Sequence, residues 1–525
     1  MPQQVTERKV WLVIFWFLIF LGTNTPAKAQ TSFDNSPGEP LSIPQESNWS
    51  FSPGVHLRTS YNFVGNTVDL NSKNNNDKTS YLGYAYDFTL DLRHLDGAEF
   101  YAFIERRGRA DYDAPLSGNR SINSLFGKYG WYRQGDMTPR LREYWAQLPL
   151  SAANDLNFKV GLYPYGRDVG NRIVLGGKYE NYGLTLSGIN QWGDWNLHWE
   201  KEDLNNRIHL GKVVDLDKGN KFNDTSAYFY AADTTLNLAD HKLQLYMGWL
   251  HDKTPEGAGA RASKYSTAVK NEDLITPGAY LNLNFGKLSV GVEGARNFGE
   301  AKAVTSNKPD IEHKGYLWVG DANYNLGSFK PKMKVIAASG NEFDESNFNE
   351  TKLSSNENNA FSVFSPLNTN LTDTHYQKQF GPYVAMAGGY AVNFGVSRPG
   401  TYGDPFIFEN LVAWTFGFDF TPVDKVYWGM DWWFLKTMES AYGLDQNGRV
   451  KEFSKDLGQE LDLFASYQLT ENIKLSVLGG YFFPGNYYSE KRTDTAANNV
   501  FAPTPRRDGK ADDAYQLELG VDITF

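Results

Sequence analysis

The last eleven residues of the chain read Tyr515-Gln-Leu-Glu-Leu-Gly-Val-Asp-Ile-Thr-Phe525. Apolar or aromatic side chains occupy every second position, and polar residues or glycine occupy the positions between them. Because successive side chains of a β-strand point to opposite faces, one face of this segment is wholly apolar and the other is polar. The stretch therefore predicts an amphipathic strand that ends on an aromatic residue.

The same two-residue period recurs along the chain, which indicates many strands of similar length. It is clearest in residues 49–63, 84–93, 156–162, 412–420, 426–434 and 461–469. Short connections such as Asp96-Gly97 alternate with long polar ones such as 110–138. Short periplasmic turns and long extracellular loops are typical of outer-membrane barrels. Pairing each short turn with its flanking segments predicts an all-β, antiparallel transmembrane barrel of about 18 strands, with 16 as the alternative count.

The N-terminus carries a targeting pattern. Arg8 and Lys9 precede an apolar run over residues 10–21, and Ala27-Lys28-Ala29 supplies the small residues of a cleavage site. This predicts a signal peptide over residues 1–29. A short periplasmic leader over 30–48 and a barrel over 49–525 complete the predicted organisation, which places the protein in the bacterial outer membrane.

Composition excludes several other classes of protein. The chain has no cysteine and a formal net charge of -10, which argues against thiolate metal sites and against a nucleic-acid partner. Its eight histidines are scattered, with His94 and His198 interpreted as isolated, and no catalytic motif is present. We therefore expect no enzyme, no cofactor and no metal. With a mean hydropathy of -0.51, the chain is expected to contact outer-membrane lipid through strands.

Strand alternation also predicts which charged side chains face the lumen. The basic candidates lie in the early strands and the acidic ones in the later strands. These pore-lining candidates are Arg58, Arg93, Arg107, Arg109, Lys159, Glu293, Asp419 and Asp431. Because a barrel closes on itself, the two sets are expected to face each other across the pore, where charged linings give selectivity.

The longest predicted extracellular loop covers residues 341–405, and it is expected to fold into the pore. Residues 381–396 resemble a further strand, but counting them would make the total odd, so they are assigned to this loop. The leading hypothesis is a porin for passive diffusion of small hydrophilic or anionic, saccharide-like solutes. A structural or adhesive barrel whose lumen is blocked by the loop is the alternative.

Several motifs resemble the alginate-export type of outer-membrane porin. They are Phe158-Lys-Val-Gly-Leu-Tyr-Pro-Tyr-Gly-Arg-Asp168, the loop segment 359–367, and the closing 512–515 with the terminal Phe525. The resemblance implies an 18-stranded barrel that passes an anionic polysaccharide or a related solute, with Arg167 and Asp168 as further pore-lining candidates. The terminal Phe525 strand also resembles the signal that the barrel-assembly machinery recognises.

Overall fold

The computed structural model describes residues 48–65, 79–111, 140–151, 155–165, 180–202, 208–209, 212–213, 227–253, 269–303, 310–341, 357–361, 410–440, 442–445, 447, 449–489 and 511–525. The predicted signal peptide and the predicted leader up to residue 47 lie outside these ranges. Residues 381–396, which we assign to the longest loop, also lie outside them.

Eighteen strands form the wall of the molecule. The first nine are β1 Trp49–Gly65, β2 Thr79–His94, β3 Glu99–Asp111, β4 Arg140–Ser151, β5 Leu156–Pro164, β6 Glu180–Asn190, β7 Gly193–Glu202, β8 Ala227–Leu238 and β9 His241–Asp252. The last nine are β10 Val269–Phe285, β11 Leu288–Arg296, β12 Tyr316–Tyr324, β13 Phe329–Ala338, β14 Leu411–Val423, β15 Val426–Lys436, β16 Asp456–Gln468, β17 Ile473–Pro484 and β18 Ala514–Thr524.

Each wall strand pairs antiparallel with its neighbours in the chain, and the last strand pairs with the first. Strand β1 joins β18 in a register that sets Arg58 opposite Asp522 and Tyr61 opposite Leu519. Closure removes both sheet edges, so every strand finds a hydrogen-bonding partner on each side. The prediction of a closed antiparallel barrel with 18 strands is confirmed, and the alternative count of 16 is wrong.

The wall has apolar side chains on its outer face and polar side chains on its inner face, the reverse of a soluble protein. In β14, Phe416 is 57% exposed whereas its neighbour Thr415 is 3% exposed. In β17 and β18, Val477 and Leu519 are likewise exposed apolar residues. An apolar outer face and a polar inner face are what a strand needs when lipid lies on one side of it.

Aromatic side chains gather in two bands on this wall. Near the short turns, Trp428 contacts Phe418 and Phe420, with ring centroids 5.5 and 5.2 Å apart. Further along the same strands, Phe434 stacks on Trp414 at 5.6 Å and on Trp432 at 5.9 Å. Aromatic rings at two levels mark the two membrane interfaces of an outer-membrane barrel.

The short connections have the turn chemistry that the sequence predicts. Gly97, Gly286 and Gly327 adopt positive φ angles of 88°, 61° and 83°, which a residue without a Cβ tolerates readily. The C-terminus lies at the same end of the barrel, where the Phe525 amide donates to the Val55 carbonyl at 2.9 Å. The terminal residue thereby extends the β1–β18 pairing beyond β18.

Smaller elements continue the wall toward the long connections. Phe298–Ala303 extends β11 and pairs with β10, and Ile311–His313 precedes β12. Within the longest connection, Glu357–Asn358 pairs in parallel with Ile311–His313. A small hairpin, Tyr442–Leu444 with Val450–Glu452, lies between β15 and β16.

Helical structure is minor in the described ranges. One four-residue helix, α1 Asn486–Ser489, follows β17. No helix among these residues is long and apolar enough to cross a membrane.

Candidate pore wall

The inward face carries most of the buried polar side chains in the part of the chain that the structure describes. Among the buried aspartate, glutamate, lysine and arginine side chains of the described residues, eight are carboxylates and one is the guanidinium of Arg58. The carboxylates are Asp87, Glu200, Asp233, Glu272, Glu293, Asp431, Glu460 and Asp462. All nine lie on wall strands, so most of the buried ionisable groups of the described wall are carboxyl groups.

Arg58 lies in an ion cluster at the seam where the barrel closes. Its Nε atom is 3.1 Å from Asp522 on β18, and its Nη2 atom is 3.6 Å from Asp87 on β2. The same Nη2 is 3.0 Å from His56 Nδ1. Because a guanidinium only donates, His56 accepts at Nδ1. Basic and acidic groups that we expected on opposite sides of the pore are therefore neighbours here, and they tie three strands together.

Arg93 forms a second cluster beside a short turn. Its Nη2 atom lies 2.7 Å from Asp91 and 3.2 Å from Glu99. The Arg93 side chain is 65% exposed, while the two carboxylate side chains are about one-fifth exposed. This cluster borders the end of the barrel nearest the short turns, so it is the most solvated of the inward ion pairs.

Lys332 on β13 holds a third cluster between Asp419 and Asp431. Its Nζ atom is 2.8 Å from Asp419 on β14 and 3.2 Å from Asp431 on β15. The Tyr427 hydroxyl donates to Asp419 at 3.0 Å. Gly417 provides room for Asp431, because a Cβ at that position would lie 2.0 Å from the Asp431 Oδ1.

Lys159 is held by aromatic rings. Its ammonium lies 3.6 Å from the centroid of the Trp145 ring and 4.5 Å from that of Tyr163. Tyr101 on the neighbouring strand stacks with Trp145, with centroids 5.3 Å apart. Cation–π attraction of this kind fixes the ammonium against the wall.

Glu293 lies on the inward face but is only 1% exposed. The Tyr246 hydroxyl donates to its Oε1 at 2.7 Å. The side chain therefore has little direct contact with the lumen.

The remaining candidates from the sequence cannot be placed by their side chains. Arg107 and Arg109 lie on β3, and their side chains are outside the described part of the chain. Arg167 and Asp168 lie outside the described residues altogether. The structure thus sets Arg58, Arg93, Lys159, Asp419 and Asp431 on the inner wall, in three separate ion clusters and one aromatic site.

His198, which we interpreted as isolated, is bonded through both ring nitrogens. Its Nδ1 lies 2.8 Å from the Thr185 hydroxyl, and its Nε2 lies 3.0 Å from Glu200. Thr185 also bonds to the Tyr163 hydroxyl at 2.7 Å, and Tyr165 stacks on the imidazole at 4.0 Å. The order hydroxyl, imidazole and carboxylate resembles a catalytic relay, but all three residues are buried. Their hydrogen bonds connect strands β5, β6 and β7.

Residues 357–361 of the longest connection form a strap against the inner wall. The Phe361 amide donates to the Ser339 carbonyl at 3.1 Å, and the Lys314 amide donates to the Asn358 carbonyl at 2.9 Å. The Ser339 hydroxyl donates to the Asn359 carbonyl at 2.6 Å. This part of the predicted 341–405 loop is therefore attached to the barrel.

Buried side chains fix the strap more specifically. The Asn359 amide donates to Asn341 Oδ1 at 2.7 Å, so Asn341 presents its NH₂ group to Asn358 Oδ1 at 3.1 Å. Asn358 must then donate through Nδ2 to His313 Nδ1, 3.3 Å away. His313 in consequence carries its proton on Nε2, which faces Glu272 at 3.1 Å. One backbone N–H thus sets the amide orientations of Asn341 and Asn358 and the tautomer of His313.

An apolar core lies on the inner side of the wall around this strap. Phe361, Leu274, Leu317, Ile336 and Leu411 are all fully buried and belong to one hydrophobic cluster. The cluster extends to residues beside the other long connections, namely Phe453, Leu457, Phe482, Tyr487 and Tyr488. Apolar packing therefore narrows the barrel toward the end with the long connections, while polar clusters occupy the rest of the wall.

Sequence reasoning missed several members of these sites. Trp145 was not assigned to the inward face, and Tyr163, Thr185 and Glu200 were not connected to one another. Alternation assigns a face to each residue, but partners on neighbouring strands depend on the pairing register. Within the described residues, no group of histidine, aspartate or glutamate side chains is arranged to hold a metal ion.

One family model matches part of the chain, and several solved structures resemble its fold. The model of the alginate export family matches residues 385–502, a range that contains β14 to β17 with Asp419 and Asp431. The motifs at 158–168 and 359–367 lie outside that range. No curated protein matches the sequence significantly.

Solved outer-membrane proteins resemble the chain at low identity. Acinetobacter baumannii OccAB2 is 9% identical with a TM-score of 0.49, and Pseudomonas aeruginosa OccK5 (OpdH) is 10% identical with a TM-score of 0.46. A BenF-like porin from Pseudomonas fluorescens Pf-5 is 10% identical with a TM-score of 0.47. Each comparison covers 90% of this chain and 98% of the other.

The resemblance predicted from the sequence is therefore confirmed through the family match, and the closed barrel agrees with it. The chain is an outer-membrane β-barrel that is similar over residues 385–502 to the alginate export family.

Proposed function

We propose that the protein is a passive channel for small hydrophilic solutes of saccharide-like size. The observation that supports this most directly is the closed wall of 18 strands, with an apolar outer face and clusters of charged groups on its inner face. Such a wall exposes polar groups to a water-filled path while lipid covers the outside. Arg58, Arg93, Lys159, Asp419 and Asp431 are the side chains proposed to border that path, with Glu293 behind it.

Planar bilayer recordings test the channel. Purified barrel should insert with stepwise increases in conductance. Folding is checked independently by the shift in gel mobility between unheated and boiled samples. A preparation that is folded by this criterion and gives no conductance would contradict the proposal.

Two finer expectations concern biogenesis. We propose that residues 1–29 are removed on export and that the Phe525 strand is read by the barrel-assembly machinery. Mass spectrometry of the outer-membrane form should show a new N-terminus at Gln30. Deleting Phe525 should lower the amount of folded barrel, while an alanine at Thr524 should leave it unchanged.

A structural or adhesive barrel with a blocked lumen is the second candidate. The apolar packing of Phe361 and Tyr488 inside the wall favours it, because packed side chains narrow the mouth. The match to the alginate export family does not favour it. Deleting the predicted loop 341–405 separates the two functions. A channel should conduct more or lose selectivity, whereas an adhesin should lose binding to its surface partner.

We further propose that the protein is not an enzyme. Within the part of the chain that the structure describes, the arrangement that resembles a relay, Thr185 with His198 and Glu200, is buried among wall side chains. Assays with ester and lipid substrates should give no turnover, and any turnover lost in His198→Ala would overturn this assignment.

A further inference from the structure

We infer that the outer face of the barrel binds phosphate groups of the outer-leaflet glycolipid at three separate positions. The positions are Lys201 on β7, Arg296 on β11 and Lys436 on β15. The inference concerns the surface that faces lipid, and the proposed passage of solutes through the lumen does not involve that surface. It is therefore tested independently of the channel function.

Each of these three cations points away from the lumen. The residue directly before each of them is buried on the inner side of the wall, and these preceding residues are Glu200, Ala295 and Leu435. Because successive side chains of a strand point to opposite faces, Lys201, Arg296 and Lys436 point outward. Each is the last or next-to-last residue of a strand that runs toward the long connections, so all three lie at the same end of the barrel.

The opposite end of the outer face has no such cations. Among the side chains of the wall strands that the structure describes, every other lysine and arginine lies on the inward parity. A charged group is costly at the middle of the bilayer and cheap at either interface. Avoidance of hydrocarbon would therefore allow cations at both interfaces, whereas the described outer face carries them only at the end with the long connections.

Aromatic rings accompany these cations, and protein carboxylates do not. Within the described residues none of the three forms an ion pair. The guanidinium carbon of Arg296 is 5.3 Å from the ring centroid of Phe298, and the Lys436 Nζ is 5.7 Å from that of Trp414. The pairing register sets Lys201 between two tyrosines, Tyr182 and Tyr228. Rings hold the side chain in place without cancelling its charge, so the N–H groups can donate to an external anion.

A nearby pair of lysines shows the contrast. Lys302 contacts Glu300 and Asp310, and Lys314 contacts Glu312 and Glu357, in the segments that continue the wall beyond β11 and precede β12. These two ammonium groups are engaged by the protein itself. The cations one step closer to the membrane are not, which is the arrangement that a ligand in the lipid layer requires.

The spacing of the cations indicates a lipid surface as the partner. Strands β7, β11 and β15 are each four strands apart, and neighbouring strands are separated by about 4.8 Å. Adjacent cations are thus roughly 19 Å apart along the wall, too far to contact one phosphate together. Three separate contacts fit a layer of anionic headgroups better than they fit one soluble anion.

The leaflet and the aromatic neighbours identify the lipid class. The long connections face the cell exterior, where the outer leaflet consists of a glycolipid with phosphorylated sugars. Phosphate oxygens accept charge-assisted hydrogen bonds from ammonium and guanidinium groups. Aromatic rings lie at the headgroup level and offer flat apolar surface to the sugar rings beside those phosphates. A cation next to an aromatic ring therefore suits a sugar phosphate better than a simple phospholipid headgroup.

Native mass spectrometry of the detergent-solubilised outer-membrane form tests the inference. The probes are diphosphoryl lipid A, dephosphorylated lipid A and phosphatidylglycerol. Diphosphoryl lipid A should bind about fivefold more tightly than the dephosphorylated form, since one basic residue close to an anionic surface contributes about that factor. Equal binding of the two forms of lipid A would overturn the inference. Equal binding of phosphatidylglycerol and diphosphoryl lipid A would overturn the assignment to a glycolipid.

Two triple variants separate a local site from an effect of overall charge. Glutamine at Lys201, Arg296 and Lys436 should abolish the preference for phosphorylated lipid A. The matched control places glutamine at the exposed lysines near the short turns, namely Lys242, Lys287 and Lys425. It removes the same number of charges at the opposite end and should keep the preference.

Loss of the preference in both triple variants, or in neither, would overturn the inference. The gel-mobility shift between unheated and boiled samples shows that each variant is folded. Conductance distinguishes this inference from the channel proposal. A folded barrel that prefers phosphorylated lipid A and does not conduct would contradict only the channel, and a conducting barrel without the preference would contradict only the lipid site.

Discussion

Replacing Asn358 by alanine should release the strap from the inner wall. The side chain is fully buried and makes hydrogen bonds to Asn341 at 3.1 Å and to His313 at 3.3 Å. Removing it leaves two buried polar groups with one hydrogen bond fewer, at about 1–3 kcal/mol each. The local free energy that holds residues 357–361 should therefore fall by about 2–6 kcal/mol.

Glu357→Gln is the matched control one residue away. It removes an ion pair with Lys314 of 2.7 Å, but the two side chains are 32% and 46% exposed. Exposed ion pairs contribute about 0–1 kcal/mol. The exposed ion pair between Glu357 and Lys314 should therefore stabilise the strap less than the longer but buried hydrogen bonds of Asn358, because water can replace the ion pair.

Hydrogen exchange measured by mass spectrometry on the folded barrel tests whether Asn358→Ala destabilises the strap more than Glu357→Gln does. The amide of Phe361, which bonds to the Ser339 carbonyl, should exchange at least tenfold faster in Asn358→Ala and less than about fivefold faster in Glu357→Gln. Equal acceleration in both variants would refute the reasoning, as would greater acceleration in Glu357→Gln. Either result would mean that the strap is held by surface charge and not by the buried network.

Three further results are expected. Tyr246→Phe removes the donor to Glu293, which is 1% exposed, and should destabilise the barrel by about 1–3 kcal/mol in a thermal or denaturant titration; an unchanged midpoint would contradict this. Gly417→Ala places a Cβ where the Asp431 carboxylate lies, so it should separate Asp431 from Lys332 and alter ion selectivity, whereas alanine at exposed Thr421 should not. At the hairpin 442–452, hydrogen bonds from the backbone amides of Arg449 and Asn447 lower the pKa of Asp445. Because the pKa of Asp445 is lower in the folded hairpin than in the unfolded chain, the ionised carboxylate stabilises the hairpin at pH values above the unfolded pKa, and this stabilisation is lost as the pH falls through the folded pKa. Amide protection in the hairpin should therefore decrease in acid, and Asp445→Asn should abolish this pH dependence.

The barrel itself could be predicted because its determinants are local. The alternation in 515–525 and in segments such as 426–434 assigns each residue to lipid or to the interior without reference to any other strand. The strand count followed from turn chemistry at sites such as Gly97 and Gly286, where short connections need positive φ. These signals are repeated along the chain, so errors in one segment do not alter the total.

Which side chains contact one another across the wall depends on the pairing register of the strands, and the sequence pattern does not specify that register. Arg58 was predicted from alternation to face the lumen, but its contact with Asp522 joins residues at opposite ends of the chain and could not be predicted in that way. His198 was interpreted as isolated because its partners Thr185 and Glu200 show no motif spacing. Trp145 meets Lys159 only through the pairing of β4 with β5.

By itself the sequence determined the outer-membrane barrel, its 18 strands and the face on which each residue of a strand lies, since a period of two is a property of one strand alone. Only the tertiary structure decided which charges neutralise one another, because neighbours across a sheet are set by closure and register over hundreds of residues. It also decided that Phe361 packs inside the wall and that Arg58 and Lys332 each contact two carboxylates. Those contacts bring together segments that are distant in the chain, so no local pattern could contain them.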